Sequence, residues 1–234
     1  GCYRLSLVVD LKGRLIAVND CDAAGKPLST AALYQADFSR APWFKAATAG
    51  EFLKSPTLDG THVQDLHVDE DVRQICGTDG LVLGFSAPVR NAQGEVIAIW
   101  NNRADFSLVE EIVANSYREL KAMGLASAEL TLLDRTGRIL VDYDPRRDGG
   151  SEAVRRDQKV ILNLNLAEKN VAAATELVAG LSGSGAAFHA RKKIWQTAGY
   201  RRGTGALGYP GLNWGAIVRV DEVESLAGPR AIRR

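Results

Sequence analysis

Much of what would fix a function quickly is missing from this chain. Its 234 residues hold no apolar run close to the ~20 needed to cross a bilayer. Lysine and arginine (29) almost balance aspartate and glutamate (28), leaving a formal net charge of +1, so no global field points towards nucleic acid. The cysteines are few and odd in number, and Cys2, Cys21 and Cys76 form no close metal-binding pair. They imply no disulfide framework, leave one bridge among the three open, and do not decide the compartment. Gly1 leads almost directly into a strand-like run, so no signal peptide is expected and the chain reads as a mature or excised soluble portion. Catalytic constellations are equally thin. Ser86 lies on a strand without the glycines of a nucleophile elbow, His189 sits among small residues, and no cysteine has a histidine nearby.

What is present is ample core material, 46% hydrophobic against 24% charged, enough for one large domain or two ordinary ones. A repeat favours two. Leu-Val-Val-Asp-Leu-Lys-Gly-Arg from Leu7 matches Thr-Leu-Leu-Asp-Arg-Thr-Gly-Arg from Thr131, placing Asp10 on Asp134, Gly13 on Gly137 and Arg14 on Arg138. Each stretch reads as a strand, a turn and a return strand, with the aspartate bonding the turn backbone and the glycine taking positive φ. The second halves correspond more loosely. Gly80–Val89, a turn at 90–94 and a strand from Glu95 stand against Ile194–Arg201, a glycine-rich turn through Gly211 and Trp214–Val220. The expected fold is therefore α+β, with two modules, each a mainly antiparallel sheet flanked by helices. Their bounds are 1–112 and 126–234, joined by a helix over 113–125 that is the end of a longer one from Ser107. Residues 144–156 read as a solvated loop, Lys169–Gly180 as a helix, and Gly180–Gly185 as a simple turn without the lysine of a phosphate loop.

The stretch from Asp37 to Gly50 carries most of the functional signal. Pro42 fits the first turn of a helix, Trp43, Phe44, Ala46 and Ala47 give an apolar stripe, and Gly50 suits the C-terminal cap. The aromatic pair beside Arg40 is either a core plug or one wall of a small-molecule pocket. On the last strand of the first module, alternation places Ile97, Ile99, Asn101 and Arg103 on one side. An arginine fork there recognises a carboxylate, His67 can add a donor, and a plain salt bridge from Arg103 to Asp65, Asp69 or Asp105 is the bland alternative.

In order along the chain, Val-Val-Asp-x-x-Gly, Ala-Pro-Trp-Phe-Lys-Ala-Ala, Phe-Ser-Ala-Pro-Val-x-x-x-x-Gly-x-Val-Ile and a second Leu-Leu-Asp-x-x-Gly resemble a double Cache sensor domain. Such tandem PAS-like modules form the extracytoplasmic part of bacterial transmembrane receptors, above all methyl-accepting chemotaxis receptors. The likeness covers nearly the whole chain, apart from the long membrane-rising helix with which family members begin. It implies a periplasmic or extracellular portion of an inner-membrane receptor, a small ligand in the membrane-distal module, a signal relayed through the proximal one, and a homodimer in the full receptor. No cofactor, metal or nucleic-acid partner is implied, and the membrane enters only through flanking segments.

By that resemblance Trp43, with Phe44 beside it, walls the pocket, and His67-Val68-Asp69 faces it. The arginine that grips a ligand carboxylate in amino-acid-sensing members is replaced by Ala41, with Arg40 one place earlier, while the aspartate that grips the amine falls on Arg103 or, with a gap, on Asp105. The expected site is thus Trp43, Phe44, His67, Asp69, Asn101 and Arg103, with Arg40, Asp65 and Asp105 as further candidates. A small carboxylate is the first expectation and an amine held by Asp69 the second. Alternatives are the sensor of a histidine kinase or diguanylate cyclase, reading an amine or amino acid, and, from another class, a metal-dependent enzyme using His62, Asp65, His67, Asp69 and Asp71. The second module is expected to hold no comparably polar pocket, because Val160–Leu181 is mostly Leu, Val, Ala and Asn.

Overall fold

The computed structural model describes residues 2–55, 58–147, 149–150, 153–189, 192–206 and 208–227. The chain divides into two compact units, 1–108 with 206–210, and 109–205 with 211–234. The first unit holds a six-stranded antiparallel sheet of β1 (Tyr3–Asp10), β2 (Leu15–Val18), β3 (Leu53–Ser55), β4 (Leu58–Val68), β5 (Leu81–Arg90) and β6 (Val96–Asp105), in the order β2-β1-β6-β5-β4-β3. The second holds a five-stranded one of β7 (Glu129–Leu133), β8 (Ile139–Tyr143), β9 (Gly183–His189), β10 (Ile194–Arg202) and β11 (Gly215–Asp221), in the order β8-β7-β11-β10-β9. Without the short β3 the two orders are the same, so the sequence repeat is also a repeat of topology. Among the described residues five α-helices and a 3-10 helix at Ala31–Gln35 complete the α+β architecture: α1 (Pro42–Thr48), α2 (Glu70–Cys76), α3 (Ser107–Ala122), α4 (Ala172–Val178) and α5 (Glu222–Ser225).

The repeated hairpins show why their residues recur. Asp10 Oδ1 accepts the amides of Lys12 (2.8 Å) and Arg14 (2.9 Å), and Asp134 Oδ1 accepts those of Thr136 (2.7 Å) and Arg138 (2.9 Å). Gly13 (φ 81°) and Gly137 (φ 93°) take the left-handed turn position. Each is also crossed by the following chain: a Cβ on Gly13 would lie 2.3 Å from the Ser39 amide nitrogen, and one on Gly137 would lie 2.7 Å from Ala167 Cβ. That crossing chain is pinned alike in both units, by Phe38 N to Gly13 O (2.9 Å) and by Leu166 N to Gly137 O (2.9 Å). Residues 37–38 and 165–166 are therefore equivalent, and so are the helices that follow, α1 and α4.

In the first unit β1 turns Leu5, Leu7 and Val9 inward, each with 0% exposure, against Leu33, Phe38, Trp43, Phe44, Val72, Val82 and Ile99. Each large side chain so buried stabilises the fold by roughly 1.5–3 kcal/mol before its entropy cost. No helix among the described residues is long and apolar enough to cross a membrane.

Three local readings need correction. Of the turn expected at Gly180–Gly185, residues 183–185 instead open the edge strand β9, because β10 supplies a full antiparallel partner from Ile194↔His189 to Tyr200↔Gly183. Helix α4 is shorter than 169–180, since Leu166 and Val171 are still held by the preceding turn, with Val171 N bonding Leu166 O at 3.0 Å. Helix α2 stands where the sequence shows no long apolar stripe: Asp69 caps it by accepting Val72 N at 2.9 Å, Glu70 and Asp71 fill its first turn, and Gly77 (φ 64°) ends it. The solvated loop at 144–156 includes Asp148, Ser151 and Glu152, and the turn through Gly211 includes Leu207; these four lie outside the described residues. The helix Ser107–Ala122 counts from Val109 onward with the second unit.

Candidate functional site

On the inner face of the first sheet the apolar core gives way to a polar cluster around Arg103. This residue lies on β6 between Leu5 of β1 and Gly84 of β5, and is only 3% exposed. A buried guanidinium needs charge and hydrogen-bond partners, and Arg103 has both. Its NH1 donates to Asp69 Oδ1 at 3.0 Å and to Asp71 Oδ2 at 2.9 Å, and its Nε to Asn101 Oδ1 at 3.3 Å. Asn101, 1% exposed, passes the network on by donating to Ser86 Oγ at 2.9 Å. Asp69 reaches Arg103 because it is the cap of α2, and Asp71 because it stands in that helix's first turn.

His67 joins the cluster through a bulge. The β4–β5 register shifts between Gln64 and His67, so His62, opposite Ser86, and His67, opposite Val82, share the inward face. Strict alternation would put His62 and His67 on opposite sides; the extra residue reverses the parity. Nε2 of His67 lies 4.0 Å from Asp69 Oδ2, and its Nδ1 is 2.8 Å from the Asp65 carbonyl oxygen. Gly84 leaves the room this arrangement uses, since a Cβ there would come 3.1 Å from Gln64 Cβ and 3.8 Å from His67 Cε1.

The structure thus brings His67, Asp69, Asn101 and Arg103 together with Asp71, which the sequence groups with His67 and Asp69 only as a metal alternative, and adds Ser86 and Gln64, to which the sequence does not point. The capping pattern of α2 was the signal for Asp71. Trp43 and Phe44, each 5% exposed, sit in the apolar core, with their rings 5.9 Å apart edge to face and Phe38 5.8 Å from Trp43. Arg40 is exposed. Asp65 accepts the Leu66 amide at 2.7 Å. Asp105 pairs with Arg4 and accepts Ser107 N at 2.9 Å, which fixes the start of α3. Among the described residues no group of three or more histidine, cysteine, aspartate or glutamate side chains is placed to hold a metal, and the three cysteines are free.

The second unit carries a denser charge network at the equivalent place. By the repeat and the strand register, Glu129 corresponds to Leu5, Thr131 to Leu7 and Arg219 to Arg103; Arg219 pairs across strands with Glu129 as Arg103 does with Leu5. Glu129, 3% exposed, accepts Lys192 Nζ at 2.6 Å, Gln196 Nε2 at 2.7 Å and Arg146 NH2 at 2.9 Å. Lys192 also donates to Asp144 at 2.5 Å, Arg146 to Asp221 at 2.6 Å, and Arg147 to Asp142 at 2.6 Å. Burial pushes the carboxyls of Asp144 and Asp221 up. It is outweighed at Asp144 by Lys192 with Arg146 and the Arg147 amide, and at Asp221 by Arg146 with Gln196, so both stay below the usual carboxylate range. Arg219 is less well matched. It donates through NH2 to Thr131 Oγ1 at 2.6 Å, while its buried Nε makes no hydrogen bond and lies 3.9 Å from Glu129 Oε2.

Beside this network lies a cavity of about 680 Å³. Glu129, Ile139, Asp142, Asp144 and Arg219 line it on the sheet side, and Arg155, Lys159, Val160, Leu164 and Leu166 on the side of the crossing chain. The expectation that the second module lacks a comparably polar pocket does not hold. It rested on residues 160–181 alone, whereas the polar lining comes from the strands and from 155–159.

No family model matches the sequence, and no curated protein matches it. Solved structures do. The extracellular ligand-binding receptor from Desulfohalobium retbaense is similar over 94% of this chain and 30% of that one, at 13% identity and a TM-score of 0.56. The extracellular domain of a protein described as a histidine kinase is similar over 100% and 72%, at 10% identity and a TM-score of 0.59. The ligand-binding domain of the Pseudomonas aeruginosa amino acid chemoreceptor PctC, in complex with GABA, is similar over 94% and 74%, at 18% identity and a TM-score of 0.54. The chain spans about 30% of the length of the first of these. The fold is thus that of extracellular ligand-binding domains of chemoreceptors and histidine kinases, and the resemblance to double Cache sensors holds at the level of fold.

Proposed function

We propose that this chain is the extracytoplasmic ligand-sensing part of a bacterial transmembrane receptor, a binding module rather than an enzyme. In this reading the first module is membrane-distal and binds a small molecule, and the second relays its state towards the membrane. The likeness to chemoreceptor and histidine-kinase domains supports the class, and leaves a chemotaxis, kinase or cyclase output equally served.

The observation that carries the site is Arg103 held between Asp69 and Asp71 at 3.0 and 2.9 Å. Two carboxylates against one guanidinium leave a formal charge of −1, and the most accessible member is acidic: the Asp71 side chain is 39% exposed, against 24% for His67 and 4% for Arg103. A ligand bearing only a carboxylate would have to displace an aspartate from Arg103. A ligand bearing an ammonium adds to the cluster without breaking it. The amine-bearing ligand, second in the sequence reading, is therefore placed first, with His67, Asp69 and Asp71 as its contacts and Arg103 and Asn101 positioning the carboxylates.

Isothermal titration with 4-aminobutyrate, L-serine, ethanolamine and propionate tests it. We expect an amine-bearing probe to bind, and Asp71→Asn to weaken it by tenfold or more, matching the ~1.5–3 kcal/mol of a lost charge-assisted bond. Binding of propionate alone, or amine binding indifferent to both Asp71→Asn and Asp69→Asn, would sink this assignment.

A further inference from the structure

The hollow in the second unit occupies the region that is packed solid in the first. Leu5, Leu15 and Val18 belong to the first unit's apolar core or pack against it. Their equivalents, counted from the paired hairpins, are Glu129, Ile139 and Asp142, and all three line the cavity of about 680 Å³. A module that only transmitted force would gain stability from filling that space as the first unit does, since voids and buried charges both cost free energy. The volume falls in the range of small-molecule sites.

We infer that this cavity is a second ligand site, for a small organic anion with a carboxylate head and a short apolar body. The charges decide the sign. The three sheet-side acids are already engaged: Glu129 by Lys192, Gln196 and Arg146, Asp144 by Lys192, and Asp142 by Arg147. Of the cations in the lining, Arg147 and Arg156 are paired with Asp142 and Glu110, and the other three are less well engaged. Arg155 and Lys159 have no acidic partner among the described residues, and Arg219 makes only its bond to Thr131 and ion-pair approaches of 3.9 Å. One exposed carboxylate, Asp157, stands against them and accepts its own turn's amide from Lys159 at 2.9 Å. His189, also in the lining, accepts the Lys192 amide at Nδ1 (3.2 Å), which leaves Nε2 as its donor nitrogen. The apolar part of the wall is Ile139, Val160, Leu164 and Leu166. The carboxylate belongs among Arg155, Lys159 and Arg219, and the hydrocarbon against the leucines.

This site is independent of the amine site proposed above, and the test separates them. Sodium hexanoate and sodium benzoate, with hexylamine as the cationic counterpart, are titrated calorimetrically into the whole chain. We expect at least one acid to bind and hexylamine not to compete with it. Leu164→Trp, which fills the cavity, should weaken the acid at least tenfold. Should that variant fold poorly by circular dichroism, the surface double variant Arg155→Ala with Lys159→Ala should do the same without touching the core. No binding of either acid, competition by hexylamine, unchanged affinity in the double variant, or an acid affinity that follows Asp69→Asn in the first unit would each overturn the inference.

Discussion

Arg103 and Arg219 hold the same place in two copies of one topology, yet their charges are met from opposite directions. Arg103 lies on a floor of Leu5 and Leu7, and its counter-charges come from above, on the cap and first turn of α2. Arg219 has its acid beside it on the sheet, because Glu129 stands where Leu5 would, and that acid is shared with Lys192, Arg146 and Gln196. One unit spends its interior on apolar packing and isolates a small polar cluster. The other accepts a charged floor and keeps a cavity. A fold that fixes strand order and register leaves the interior chemistry free to diverge, because inward positions are specified one side chain at a time.

The contrast is most easily broken at the packed core. Trp43→Ala should destabilise the first unit by about 3–5 kcal/mol, the usual range for a large buried aromatic, read as a drop in denaturation midpoint. A loss under ~1 kcal/mol would mean that the Trp43 ring is not core. The arginines come next. Arg103→Ala strands Asp69 and Asp71 without their cation, and should cost about 2–4 kcal/mol, less than a fully buried pair because Asp71 is open to water. Arg219→Ala should cost about 1–2 kcal/mol, since Glu129, Asp142 and Asp144 keep their other cations. Equal costs would show that the two positions are met alike.

Acid should give the smallest effect. The Asp144, Asp221 and Asp134 carboxyls are held below the ordinary value when folded. Their contribution is present above the unfolded value, about 3.9, and is lost as pH falls through the folded ones. The second unit should therefore soften progressively below about pH 4 in thermal scans. The carboxylates lowered in the first unit, Asp10, Asp22 and Asp37, sit in exposed turns, so its response should be weaker. A first unit that melts earlier in acid would contradict this ordering.

The candidate cluster was half legible. His67, Asp69, Asn101 and Arg103 could be listed together because family resemblance and strand alternation both pointed at them. Asp71 joins His67 and Asp69 in the sequence only as a metal alternative, since its place beside Arg103 depends on a helix only seven residues long, whose caps are clear but whose apolar stripe is too short to stand out. The shared face of His62 and His67 is not legible either, because a single extra residue in β4 is invisible to a period-2 count. Trp43 and Phe44 fit a pocket wall or a core plug by sequence, and their rings pack as core.

The amino-acid sequence by itself determined the local grammar of this protein: the Asp-x-x-Gly turns, the helix that starts at Pro42, the antiparallel hairpins and their recurrence. These depend on φ, on side chains bonding their own backbone and on short-range periodicity, all readable within a few residues. Only the tertiary structure decided that Arg103 faces two aspartates from another element, that β9 is a strand, and that the second unit is hollow where the first is full. Those outcomes come from which inward side chains meet across strands 60 to 100 residues apart, as Gln196 meets Glu129 and Arg219 meets Thr131. Volume and charge at such meetings are sums over several segments, and no one segment carries the sum.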